Sequence, residues 1–150
     1  MAGTQTMVPM VSSDVKGVLG AVHLPRLWQK ALLSAKGMLP EDYDECGKGF
    51  DQMTLDGLKL DRAAVVAYVK DNLPTYPQFE KWVQQQRGGT IPQGEIEASN
   101  RAIRAYLHSD EDCKEILEAA GVPNAGKIKD AVNLNNLDDW TAFHRQLTVA

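Results

Sequence analysis

The sequence predicts an all-α fold: a compact single-domain bundle of six or seven short helices behind an irregular N-terminal arm. Three observations predict it. Apolar residues recur at the three- and four-residue spacing of a helix face through most of the chain. Cap and stop residues punctuate that pattern at regular intervals. No stretch alternates with the period of two that a half-buried strand requires. A chain of 150 residues with 43% hydrophobic content suits one domain and buries roughly two thirds of its unfolded surface.

Residues 1–22 carry no period and read as an irregular arm, leaving 23–150 as the helical domain. Leu24, Leu27, Trp28, Ala31, Leu32 and Ala35 form the first helical stripe, with Pro25 in the opening turn and Gly37 as a left-handed stop. Leu33 lies opposite that stripe, beside Arg26 and Lys30, so this helix has two faces to cover. An acidic loop over 38–49 precedes a short helix from Phe50 to about Gly57. Asp61 caps the next helix, whose expected buried face is Val65, Val66, Val69 and Leu73, ended by Pro74.

Two helices then open alike. Thr75-Tyr76-Pro77-Gln78 and Thr90-Ile91-Pro92-Gln93 each read as a capping box with Pro in the first turn. The first buries Phe79, Trp82 and Val83 and stops near Gly88-Gly89; the second places Ile96, Ile103, Tyr106 and Leu107 inward. Ser109 caps a helix with Cys113, Ile116, Leu117 and Ala120 as its stripe, closed by Gly121-Val122 in a Schellman stop. A short helical segment is expected around 128–132. Asn136 is expected to cap a last helix with Leu137, Trp140, Phe143 and Leu147 inward.

Charge and cysteine usage exclude several function classes. The net charge of −4 comes with no dense Lys/Arg run, which disfavours a nucleic-acid partner. Cys46 and Cys113 form no CxxC pair, so reduced thiols and a cytoplasmic location are expected. No signal-peptide pattern and no apolar run of roughly 20 residues occurs, so no membrane role is expected.

Several motifs approach a known chemistry without completing it. Asp42, Asp44 and Gly47 fit the start of a calcium loop, but Cys46 and Met53 stand where further ligands are needed. His23, His108 and His144 have no metal-ligand spacing, so no metal and no cofactor are expected. Cys113 reads as a core thiol and Cys46 as the more reactive one. Residues 113–132 resemble a helix-turn-helix, with Lys127 and Lys129 on the second helix, yet Leu117 and Asp130 fit that role poorly.

Polar residues on a buried face are more informative. Ser99 and Asn100 fall among Ile96 and Ile103 and need hydrogen-bond partners at a neighbouring helix end, or line a polar pocket. Arg26 and Lys30, one turn apart, either clamp an anion or pair with Asp51 or Asp56 of the following helix.

His23-Leu24-Pro25-Arg26 with Lys30-Ala31, Gly49-Phe50-Asp51, Leu55-Asp56-Gly57-Leu58-Lys59-Leu60-Asp61, Trp82 and Asp138-Asp139-Trp140 together resemble an uncharacterised bacterial family. It is the domain-of-unknown-function family numbered five thousand and sixty-nine. The resemblance runs from about residue 14 over most of the chain. It implies a compact helical domain with no established activity, supplies no catalytic residues, and favours Arg26, Lys30 and Asp51 as a linked group.

Three functions follow as expectations. The favoured one is a non-enzymatic module that binds a protein partner or forms a homodimer, through the first helix and the apolar segment Met7-Val8-Pro9-Met10-Val11. The second is a small-molecule binder or enzyme in which Arg26 and Lys30 hold an anion near Asp51, with Ser99 and Asn100 close by; the ligand is open. The third is DNA binding through residues 113–132.

Overall fold

The computed structural model describes residues 5–123 and 128–149. Seven helices make up the described chain: α1 (Leu24–Ala35), α2 (Phe50–Leu58), α3 (Arg62–Asn72), α4 (Tyr76–Gln86), α5 (Gln93–Ala105), α6 (Asp110–Ala119) and α7 (Ala131–Thr148). There is no strand among these residues, only one isolated antiparallel bridge between Leu107 and Asp130. None of the helices is long and apolar enough to cross a membrane.

The caps explain where most elements begin and end. Asp61 accepts from the Ala64 N–H at 2.9 Å, and Ser109 from the Asp112 N–H at 3.1 Å. Thr75 and Gln78 close the expected capping box at the start of α4. The second box does not form. Helix α5 starts at Gln93 with Pro92 at the cap and no side-chain bond, and Ile91 just before it is buried in the core. Gly37 and Gly121 take positive φ, 68° and 83°, and Val122 donates back to the Leu117 carbonyl as a Schellman stop requires.

The main core joins α1 to α5 through Leu24, Leu27, Leu55, Leu58, Val65, Val69, Phe79, Val83 and Ile96. Each of the larger side chains contributes roughly 1.5–3 kcal/mol by leaving water. Helix α2 packs most closely on α5, where Gly57 faces Ser99: a β-carbon at Gly57 would lie 2.6 Å from Ser99 Oγ. Helices α6 and α7 pack on each other around Cys113, Leu117 and Leu134. The arm is irregular as expected, but Val8, Pro9, Ser13, Ala21 and Val22 are buried, while Met7 and Met10 remain exposed.

Five expectations fail at the C-terminal half and on α3. Helix α7 begins at Ala131 with Asp130 as its cap, not at Asn136, and Ile128 and Lys129 precede it outside any helix. Its inward residues are Ala131, Val132, Leu134 and Asp139; Trp140, Phe143 and Leu147 are 56, 42 and 71% exposed. Tyr106 and Leu107 also face outward, since α5 ends at Ala105 and the chain turns to meet Asp130. Leu73 takes a left-handed φ of 44° just past α3, which swings its side chain off the buried face.

Candidate functional site

Polar side chains gather where α1, the loop over 36–49, the first turn of α2 and the middle of α7 converge. Helix α1 provides His23 at its cap, Arg26 and Lys30, all at most 8% exposed. Helix α2 provides Asp51 in its first turn, where the positive end of the helix dipole favours a carboxylate. Helix α7 provides Asp139, and the loop provides Tyr43. A cavity of about 240 Å³ opens against these groups.

Asp51 is the hub. Its Oδ1 lies 2.6 Å from His23 Nε2, and its Oδ2 accepts from Lys30 Nζ at 2.5 Å and from the Gly47 N–H at 2.7 Å. Burial alone would raise the Asp51 carboxyl, but the hydrogen bond and charge of these partners outweigh it and hold the group well below the usual carboxylate range. Burial pushes the His23 imidazole the other way, below its ordinary value, against the pull of Asp51. Both directions fit one protonation state: Asp51 ionised and His23 neutral with its proton on Nε2. His23 Nδ1 then accepts from the Ser13 hydroxyl at 3.0 Å.

Arg26 lies beside this hub and answers to Asp139. Its Nη1 and Nη2 donate to Asp139 Oδ2 and Oδ1 at 2.7 and 3.0 Å, and Nη1 also reaches the Pro9 and Val11 carbonyls. Tyr43 donates its hydroxyl to Asp139 Oδ1 at 2.9 Å. Burial still raises the Asp139 carboxyl more than Arg26 and Tyr43 lower it. Burial and the neighbouring Asp139 charge raise Asp138 as well.

His23 holds this position at a cost. Its φ of 70° lies in the left-handed region, where a non-glycine residue costs on the order of 1–3 kcal/mol unless its surroundings enforce it. Asn100 enforces it from α5: Oδ1 accepts from the Val22 N–H at 2.9 Å and Nδ2 donates to the Gly20 carbonyl at 2.8 Å. Arg62 holds the end of the loop by donating to the Cys46 and Gly47 carbonyls and to Gln52.

Of the five residues the sequence singles out, three meet at the cavity: Arg26, Lys30 and Asp51. Lys30 pairs with Asp51 as one expectation had it, while Arg26 pairs with Asp139 instead of Asp51 or Asp56. Asn100 supports His23 from behind, and Ser99 packs on Gly57 with its hydroxyl unpartnered; neither lines the cavity. Cys46 is a poor nucleophile, since burial first and Asp51 next push its thiol up to about 11. Lys127 of the helix-turn-helix reading lies outside the described residues, and Lys129 makes an exposed pair with Asp110 at 3.5 Å.

Sequence reasoning does not single out His23, Tyr43 or Asp139 as site residues, although His23 and Asp139 fall within the motifs that carry the resemblance. Asp139 had a signal: it stands seven residues after Val132, on the same helix face, so a carboxylate interrupts an otherwise inward stripe. Ser13, His23 and Asp51 join a hydroxyl, an imidazole and a carboxylate, but through the opposite ring nitrogens to a hydrolase triad, with the carboxylate on Nε2 and the serine on Nδ1. Ser13 is only 2% exposed and does not line the cavity, so no substrate carbonyl reaches it. Among the described residues no three His, Cys, Asp or Glu side chains form a group fit to hold a metal ion.

A family model described as a domain of unknown function, DUF5069, matches residues 8–141, in keeping with the resemblance read from the sequence. No curated protein matches the chain.

Proposed function

The chain belongs to the DUF5069 family, and we propose that it binds a small polar molecule in the cavity between α1, the 36–49 loop, α2 and α7. The observation that carries this reading is the burial of His23, Arg26, Lys30, Asp51 and Asp139 against one open cavity. Buried ion pairs are weak devices for stability, because desolvation offsets much of their attraction. Apolar residues of similar volume would hold α1, α2 and α7 together at least as well. A strained histidine, two buried ion pairs and a concave surface in one place are the features of a ligand site.

Arg26 and Lys30 do not act as a free anion clamp in this reading, since each already faces a carboxylate. Their role is to fix Asp139 and Asp51 in position. Native mass spectrometry of the protein incubated with a small-metabolite extract tests the proposal. A reproducible adduct of small mass, reduced by Asp51→Asn, is the expected result. Bare protein under every condition contradicts it.

A second reading rests on a separate observation. Trp140, Phe143 and Leu147 form an exposed apolar stripe at i, i+3 and i+7 along α7, and Gln146 of the same helix holds the arm, which carries the exposed Met7 and Met10, through Thr6 and Val8. Such a stripe supports an interaction or self-association role. Sedimentation velocity over a concentration series tests it, with a concentration-dependent dimer as the expected outcome and a monomer throughout as the contrary one.

A further inference from the structure

We infer that the ligand of this cavity is an amine with an aromatic or apolar body, its cationic head among the carboxylates and its body in a second chamber alongside. This inference rests on the small-molecule reading above and narrows it to a chemical class.

The head-group chamber is acidic once its pairs are counted. Arg26 and Lys30 are engaged by Asp139 and Asp51. Of the remaining charged groups at the wall, three are carboxylates, Asp42, Asp44 and Asp138, and one is a cation, Lys48; Arg145 stands just outside it, beside Asp42 and Asp138. Those three carboxylates make no side-chain hydrogen bond or ion pair among the described residues, and Asp138 shares its surroundings with the charge of Asp139. An anion entering here would meet more negative than positive charge, or would have to break a buried pair. A cation would relieve the repulsion already present.

A second cavity, of about 330 Å³, adjoins the first and shares Lys48, Gly49, Phe50 and Asn135 with it. Its walls are more apolar, with Phe50, Met53 and Tyr106 as the main surfaces. Phe50 links the chambers through aromatic edges: its ring centroid lies 5.5 Å from His23 on one side and 5.8 Å from Tyr106 on the other. Tyr106 is 48% exposed although it stands beside a cavity, which leaves an aromatic surface open for a ligand to cover. Aromatic walls next to carboxylates suit an ammonium group joined to an apolar body. Together the two chambers have the size of an ordinary small-molecule site.

The test is an NMR titration of the full chain with ethylamine, phenethylamine and phenylacetate, following the backbone amides of Asp51, Asn135 and Tyr106. Phenethylamine is expected to bind about ten-fold or more tightly than ethylamine, since only its ring buries apolar surface in the second chamber, and phenylacetate is expected not to bind. Tyr106→Ala, at a half-exposed position, should bring phenethylamine down to the level of ethylamine while leaving ethylamine unchanged. Equal binding of the two amines overturns the second chamber, and tighter binding of phenylacetate overturns the cationic head; in both cases the cavity still binds a ligand and the function proposed above stands. Binding of none of the three overturns the inference, and an adduct of another class in the mass spectra then shows that the broader reading survives it.

Discussion

Arg26 and Asp139, separated by 113 residues of sequence, meet in a two-point pair at 2.7 and 3.0 Å that fastens α7 to α1. The same guanidinium holds the Pro9 and Val11 carbonyls, so one side chain joins the arm, the first helix and the last. With 8 and 5% of the two side chains exposed, water cannot take over for a missing partner. Arg26→Met should therefore cost about 3–5 kcal/mol by leaving Asp139 buried and uncompensated. Arg26→Met with Asp139→Leu should recover most of that loss. Urea unfolding of the two variants checks both, and a single variant as stable as the parent would contradict the geometry.

The His23 and Asp51 pair predicts acid sensitivity that begins close to neutrality. Burial holds the folded His23 below the ordinary imidazole value of 6.5, so the unfolded chain takes up that proton first. The stability of the buried neutral ring is complete above 6.5 and is lost as pH falls toward the folded value. Asp51, held below 3.8, adds a second loss that starts only as pH falls past that value. Asp138 and Asp139 are raised above 3.8 and act in the opposite sense, gaining protons first in the folded state. Unfolding free energies between about pH 7.5 and 5.5 should fall for the parent and stay flatter for His23→Asn, because asparagine tolerates positive φ and does not titrate. Parallel slopes in both proteins would count against a buried neutral histidine.

The contact of α2 with α5 predicts opposite effects for two small substitutions. Gly57→Ala would place a methyl 2.6 Å from Ser99 Oγ and 3.4 Å from its Cα, an overpacking expected to cost about 1–3 kcal/mol. Ser99→Ala removes a buried hydroxyl that has no partner and should be neutral or stabilising by up to about 1 kcal/mol. Thermal unfolding distinguishes the signs; a destabilised Ser99→Ala would show that the hydroxyl is bonded after all.

The outward face of α7 predicts tolerance where the sequence pattern alone predicts fragility. Trp140→Gln should change stability by less than about 1 kcal/mol, as for an exposed position, whereas a core tryptophan would lose about 3–5 kcal/mol. Denaturant unfolding of this variant measures which face is inward. The same substitution should weaken a dimer if α7 forms one.

What the sequence could and could not reveal follows from this helix. Apolar spacing placed α1 and α4 well because Pro25, Gly37 and the Thr75 box fix where their main stripes begin and end. Helix α7 carries two competing stripes, one through Val132 and Asp139 and one through Trp140, Phe143 and Leu147, and hydrophobicity favours the stripe that faces solvent. The inward one is chosen by Arg26, a partner more than a hundred residues away, which no local pattern encodes. Likewise Arg26, Lys30 and Asp51 were legible as neighbouring charges, but the approach of His23 to the Asp51 hub depends on a left-handed backbone held by Asn100. Long-range hydrogen bonds of that kind leave no periodicity to read.

The most direct test of the central claim, that the cavity is a ligand site, is an NMR screen of the protein against small polar compounds. Amide shifts should concentrate at Gly47, Asp51 and Asn135, around the cavity, with α7 residues Trp140 and Phe143 unmoved. Shifts confined to the outer face of α7, or none with any compound class, would contradict the claim and leave the buried charge cluster as a structural fastening alone.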